Sequence, residues 1–139
     1  MIPRYSRSEM AQVWSEEHKF DTWLRVEIAV CEAWNEQGAI PQKAVEKIRR
    51  ARYDLTRVLQ YQEEMHHELN SFLRSVADSL GEESRFVHLG LTSYDVQDTA
   101  LGLILLEAAE LLERDVSALA EALEQRALRS RLTTWVLTG

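Results

Sequence analysis

Three short stretches of the chain bring together residues able to do chemistry. In Glu63-Glu64-Met65-His66-His67-Glu68, Glu64 and His67 stand at the i, i+3 spacing of a carboxylate and imidazole ligand pair in a di-iron helix bundle. Such a centre needs a second Glu-x-x-His on another helix, but His18 is preceded at that offset by Ser15 and His88 by Arg85. His67-Glu68 is followed by Leu69, Asn70 and Ser71, so there is no zinc-binding H-E-x-x-H either. No metal is therefore expected, and the local residues alone also read as histidines on a solvated helix face. In Gly90-Leu91-Thr92-Ser93-Tyr94-Asp95, two hydroxyls stand immediately before a long helix. A helix start presents unpaired N–H groups and about half a positive charge, which suits a carboxylate or phosphate. Capping by Ser93 explains the same residues without any ligand. Arg4-Tyr5 offers a planar guanidinium fork for phosphate and a ring able to cover a base, although two residues alone do not establish either role.

The elements that position these residues are helical. Ser6-Arg7-Ser8-Glu9 has the S-x-x-E form of a capping box ahead of a short helix through Trp14. Phe20, Trp23, Leu24, Ile28, Cys31 and Trp34 follow one stripe of a 3.6-residue period, and Gly38 supplies a left-handed stop. Pro41 suits the first turn of a short amphipathic helix that turns Ala44, Val45 and Ile48 inward. Asp54 is the expected N-cap of a stretch in which Leu55, Val58, Leu59, Gln62, Met65, Leu69, Phe72, Leu73, Val76 and Leu80 hold helical spacing until Gly81. His66-His67-Glu68 interrupt that stripe, as a helix break or an inward-facing polar site would. Residues 82–92 read as non-helical, and Ser93 as the cap of a last helix from about Tyr94 to about Arg129, roughly 50 Å long. Val96, Ala100, Leu103, Leu106, Leu111, Leu119 and Leu123 are among its apolar positions, and Leu101–Leu106 is hydrophobic on more than one face, so part of this helix is expected to meet another chain.

Composition narrows the functions available. With 139 residues, 45% hydrophobic and 28% charged, the chain has the make-up of one globular domain. Five glycines and two prolines are too few to turn many short strands, so an all-α fold is expected. A net charge of −7 argues against a nucleic-acid or anionic membrane surface, both of which need a basic footprint. The one basic run, Lys47, Arg49, Arg50, Arg52 and Arg57, reads as a solvated helix face. Cys31, the single cysteine, sits among apolar neighbours and is expected to be a buried, inert thiol. The sequence contains no signal-peptide pattern and no run of 18 apolar residues, and a cytoplasmic location is expected.

Taken in order, the opening R-Y-S, the H-[DE]-x-x-x-F-x-R-x-V segment from His67 and the G-L-T-S-x-D-V-x-D-T-A-L block from Gly90 resemble the N-terminal domain of the bacterial-type adenylosuccinate lyase family, in the fumarase/aspartase superfamily. The resemblance runs from residue 1 to about 130. It implies a helical N-terminal domain over residues 1–92 and the beginning of a central helical-bundle domain over 93–139. It also implies a homotetramer whose long helices share one bundle, and elimination of fumarate from adenylosuccinate and from the succinylated carboxamide ribotide of purine synthesis without a cofactor. By the same resemblance Arg4 and Tyr5 hold the nucleotide, Arg4 chiefly through its phosphate. His66, His67 and Glu68 fall on a substrate-contacting R-H-D triplet, and Thr92 and Ser93 on a T-S pair that binds substrate oxygens. The expected partners are thus adenylosuccinate, AMP and fumarate.

Two departures fall in the triplet. His66 stands where the family usually has a permanent cation, exchanging it for a side chain whose charge depends on pH. Glu68 keeps the carboxylate of the usual Asp but reaches one methylene further. A β-elimination needs a base and an acid, which the family supplies from a Ser on a mobile loop and a His in a G-R-T-H-G segment. Where that segment should begin, this sequence reads Leu132-Thr133-Thr134-Trp135-Val136-Leu137-Thr138-Gly139. The expectation is a truncated or frame-shifted lyase, inactive alone, with no catalytic residue of its own. The alternative is a non-catalytic helical module that assembles through the 94–129 helix.

Overall fold

The computed structural model describes residues 3–130, so the Leu132–Gly139 segment lies outside it. The described residues contain helices and no strand: a 3₁₀ turn at Pro3–Tyr5, then α1 (Ser8–Val13), α2 (Glu16–Glu36), α3 (Gln42–Ile48), α4 (Leu55–Met65), α5 (Glu68–Leu80), a second 3₁₀ turn at Gly81–Phe86 and α6 (Ser93–Ser130). None of these helices is long and apolar enough to cross a membrane.

The 3.6-residue stripe of α2 organises the interior. Phe20, Trp23, Val26 and Cys31 are buried along it, and Ser15 caps its start by accepting from the His18 N–H. Gly38, just beyond the end, has φ +76°, the left-handed conformation that a side chain would strain. Phe20 and Trp23 pack with Val58 of α4, with Leu69, Phe72 and Val76 of α5, and with Val96 and Ala100 of α6. A second cluster joins Cys31 to Ile40 and to Ala44, Val45 and Ile48 of α3. Burial pushes the Cys31 thiol up to about 11, with the carboxylates of Glu27 and Glu32 adding to the effect. Thiolate is the reactive form, so a disulfide reagent at pH 8 should leave the folded chain unmodified and titrate one thiol after denaturation. Fast labelling without denaturant would contradict this burial.

Several boundaries differ from the sequence expectation. The N-cap of α1 is Arg7 rather than Ser6, and Glu9 pairs with Arg7 and Arg114, so the S-x-x-E box does not form. Pro41 is the N-cap of α3, one position before its first turn. Of the two alternatives open at His66-His67-Glu68, the helix break is the one found: the 54–80 stripe is two helices, because His66 takes a left-handed conformation (φ 52°) and His67 an extended one. The chain therefore doubles back, with the Asp54 N–H donating to Ser75 Oγ (2.9 Å) and Arg74 reaching Glu64 (3.3 Å). Residues 81–86 form a 3₁₀ turn rather than open loop. On α6 the inward residues are Val96, Ala100, Ile104 and Ala108, while Leu106, Leu119 and Leu123 are exposed. Lys47, Arg49 and Arg57 are exposed and pair with Glu83, Glu32 and Asp78, as a solvated face should.

Candidate functional site

His67 is the N-cap of α5, where its Nδ1 accepts from the Asn70 N–H at 3.3 Å. An accepting Nδ1 is unprotonated, which leaves the ring proton on Nε2, able to donate to an oxygen outside the helix. His66 caps α4 in the left-handed region and is exposed. Such a conformation costs a non-glycine residue on the order of 1–3 kcal/mol and marks a place the surrounding structure must hold. Glu64 and His67 are thus on opposite sides of a reversal, not on one helical face, and the di-iron spacing has no geometric content here. Among the described residues no group of three or more His, Cys, Asp or Glu converges as a metal site.

Glu68 is the first residue of α5, and its carboxylate lies 2.5 Å from Lys19 Nζ of α2. Lys19 Nζ also stands 4.6 Å from the Phe20 ring centre and 5.6 Å from that of Trp23. The carboxylate carried over by resemblance therefore comes with a cation that no motif picks out. Both line a groove with Trp14, Trp23, Gln97 and Leu101. Gln97 is one helical turn past Ser93, which brings the His67-Glu68 corner close to the start of α6.

At that start the assignment of the cap shifts by one residue. Ser93 is already helical, and Thr92 makes the capping contacts: its N–H and its hydroxyl both donate to Asp95 Oδ2, at 2.7 and 3.0 Å. These bonds, the backbone one first, hold the Asp95 carboxyl below the usual range. The sequence reading placed both hydroxyls at the helix end but missed Asp95. Thr92-x-x-Asp95 was the available signal, as a third-position acid closing back on the cap N–H. The Ser93 hydroxyl makes no hydrogen bond among the described residues, so it is available to an incoming oxygen at the positive end of a 38-residue helix.

Arg4 and Tyr5 form a local pair, with Nη2 donating to the Tyr5 hydroxyl at 2.9 Å and the guanidinium carbon 5.0 Å from the ring centre. Tyr5 is 74% exposed and lines a groove with Leu111, Leu112 and Asp115 of α6. Arg7 and Arg114 tie this segment down through Asp115 and Glu9. Leu111 is 18 residues beyond Ser93, about 27 Å along the helix axis. Within one chain, then, Glu68 shares a groove with the first turns of α6, the helix that Thr92 and Ser93 open, while Tyr5 sits far along it.

A family model described as a lyase matches residues 4–135, and the chain belongs to that family. It is similar to the adenylosuccinate lyase of Bacillus subtilis (strain 168), with 42% identity over 134 residues covering 96% of this chain and 31% of that protein. It is also similar to the adenylosuccinate lyase of Staphylococcus saprophyticus, with 43% identity over 128 residues covering 91% of this chain and 30% of that protein. The chain thus spans about a third of the length of these curated relatives. Among solved structures, it resembles the 3-carboxy-cis,cis-muconate lactonizing enzyme from Pseudomonas putida, with a TM-score of 0.83 and 29% identity over 90% of this chain and 30% of that enzyme. A fumarate lyase from Mesorhizobium sp. BNC1 shares the fold, with a TM-score of 0.79 at 22% identity over 90% of this chain and 31% of that protein.

Proposed function

We propose that the chain acts as the N-terminal portion of an adenylosuccinate lyase, eliminating fumarate from adenylosuccinate and from the succinylated carboxamide ribotide. The observation behind this reading is the 42% identity to an adenylosuccinate lyase across 96% of the chain. In it, residues 1–92 are the helical N-terminal domain and 93–139 begin the central bundle. The working form is a cytoplasmic homotetramer without cofactor. Thr92 and Ser93 hold substrate oxygens, and His67 donates from Nε2 to the same anionic end. Glu68 acts together with Lys19, so a ligand there meets a carboxylate and an ammonium side by side, while His66 offers its exposed ring. Arg4 and Tyr5 hold the phosphate and base.

The separation of Arg4-Tyr5 from the α6 start supports a division of labour between subunits: the two groups of one chain serve different sites of an oligomer. β-Elimination requires a base beside a carboxylate and an acid for the departing nitrogen. In this reading both come from other segments, and the described residues bind and orient. Mixed with a separately produced remainder of a family lyase bearing the catalytic Ser and His, the chain should restore fumarate release. Ser93→Ala or His67→Ala should lower that release by about 10- to 100-fold, a loss typical of removing a charge-stabilising or positioning contact. A mixture shown to co-assemble yet yielding no fumarate would sink these roles.

A further inference from the structure

Glu27 lies on α2 and is 1% exposed, the one buried carboxyl among the described residues. A buried carboxylate is costly unless its oxygens are satisfied, and both oxygens here are taken by one residue. Oε2 accepts the His88 main-chain N–H at 2.8 Å, and Oε1 lies 2.7 Å from His88 Nδ1. His88 is left-handed, at φ 65°, a conformation that persists only where the surroundings enforce it. Two further side chains of the same α2 face hold the same segment. Cys31 Sγ lies 3.4 Å from the Phe86 carbonyl, and Trp34 Nε1 donates to the Leu89 carbonyl at 2.9 Å. Positions 27, 31 and 34 are spaced i, i+4 and i+7, one ridge of a helix. The next turn leads through Gly90 and Leu91 directly to Thr92 and Ser93.

We propose that Glu27 is a positioning residue: by holding the main chain and ring of His88 it fixes the 86–91 segment and so sets Thr92 and Ser93 at the start of α6. The functional half of this rests on the substrate-binding reading above; the geometric half does not. Apolar packing alone would tie 86–91 to α2, but only an acceptor at 27 can hold the His88 N–H and the ring together. Burial pushes the Glu27 carboxyl up, and its bonds to His88 oppose that shift, in keeping with a pair built to stay together.

The test is hydrogen exchange by mass spectrometry on the whole chain as wild type, Glu27→Ala and Glu27→Gln, each with and without adenylosuccinate. Without nucleotide, Glu27→Ala should speed exchange over residues 88–95 by about tenfold or more, as local opening does, while residues 55–80 keep wild-type protection. Glu27→Gln retains a carbonyl for the His88 N–H and should recover most of the protection. With adenylosuccinate, wild type and Glu27→Gln should gain protection at 92–95 and Glu27→Ala should not. Unchanged exchange at 88–95 in Glu27→Ala, or loosening spread equally over the whole chain, would overturn the proposal. If adenylosuccinate protects no part of the wild type, the nucleotide reading fails alone, and the nucleotide-free contrast still decides the role of Glu27.

Discussion

Phe72→Ala should lower the midpoint of thermal unfolding by roughly 10–20 °C, read by far-ultraviolet circular dichroism. Phe72 is fully buried, stacked on Phe20 at 5.6 Å and 8° between ring planes, and edge-on to Trp23 at 5.6 Å and 84°. Tyr53 completes the group at 5.6 Å from the same ring. These rings join α2, α5 and the 51–54 segment, so removing the central one opens a cavity bounded by three parts of the chain that cannot all close on it. A buried Phe→Ala change costs about 3–5 kcal/mol, out of the 5–15 kcal/mol that holds a typical domain together. Phe72→Leu keeps most of the volume and should cost under about 1.5 kcal/mol. A loss below about 3 °C in the alanine variant would show that this cluster is not the centre of the fold.

The second large effect is on assembly. Leu101, Leu105, Leu112, Val116, Leu119 and Leu123 of α6 are all exposed, from 46% to 66%. At 100° per residue they fall within an arc of about 60°, a stripe about 33 Å long. Beyond Ala108 the helix has no buried residue, and an isolated helical segment that short of partners is marginal in water. Burying each leucine is worth about 1.5–3 kcal/mol, enough in sum to meet an association cost of about 4–15 kcal/mol. The chain should therefore self-associate, and the triple change of Leu105, Leu112 and Leu119 to glutamate should shift sedimentation to the monomer. It should also reduce helicity, as the outer half of α6 loses the covering that a second copy gives it. An unchanged sedimentation coefficient would remove this stripe from consideration as an interface. Oligomers whose size and stability ignore AMP would favour the assembly-module reading over the enzymatic one.

The sequence made the apolar skeleton legible because helical burial repeats every 3.6 residues. The α2 stripe, Gly38, the Asp54 cap and the inward face of α3 all follow from that rule. The break at His66-His67 was legible only as one of two alternatives, since Met65 and Leu69 keep an unbroken four-residue spacing across a reversal made by one left-handed residue. Exposure along α6 was legible only in outline: Leu106, Leu119 and Leu123 have the same residue type as core leucines, and only the geometry shows that none of the described residues covers them. In the candidate site, the hydroxyls and the histidine were visible as motif residues, and their distance from Arg4-Tyr5 was not. Lys19 and Glu27 stayed hidden because a charged residue within an amphipathic stripe reads as solvated. Their partners, Glu68 and His88, lie 49 and 61 positions away in the chain.

The central claim is that these residues form the N-terminal, substrate-binding portion of an adenylosuccinate lyase. The most direct measurement replaces the matching segment of the Bacillus subtilis relative with residues 1–130 of this chain and follows fumarate release from adenylosuccinate. The expected result is an active hybrid that loses activity on Ser93→Ala. A hybrid that folds and assembles like its parent but releases no fumarate would contradict it.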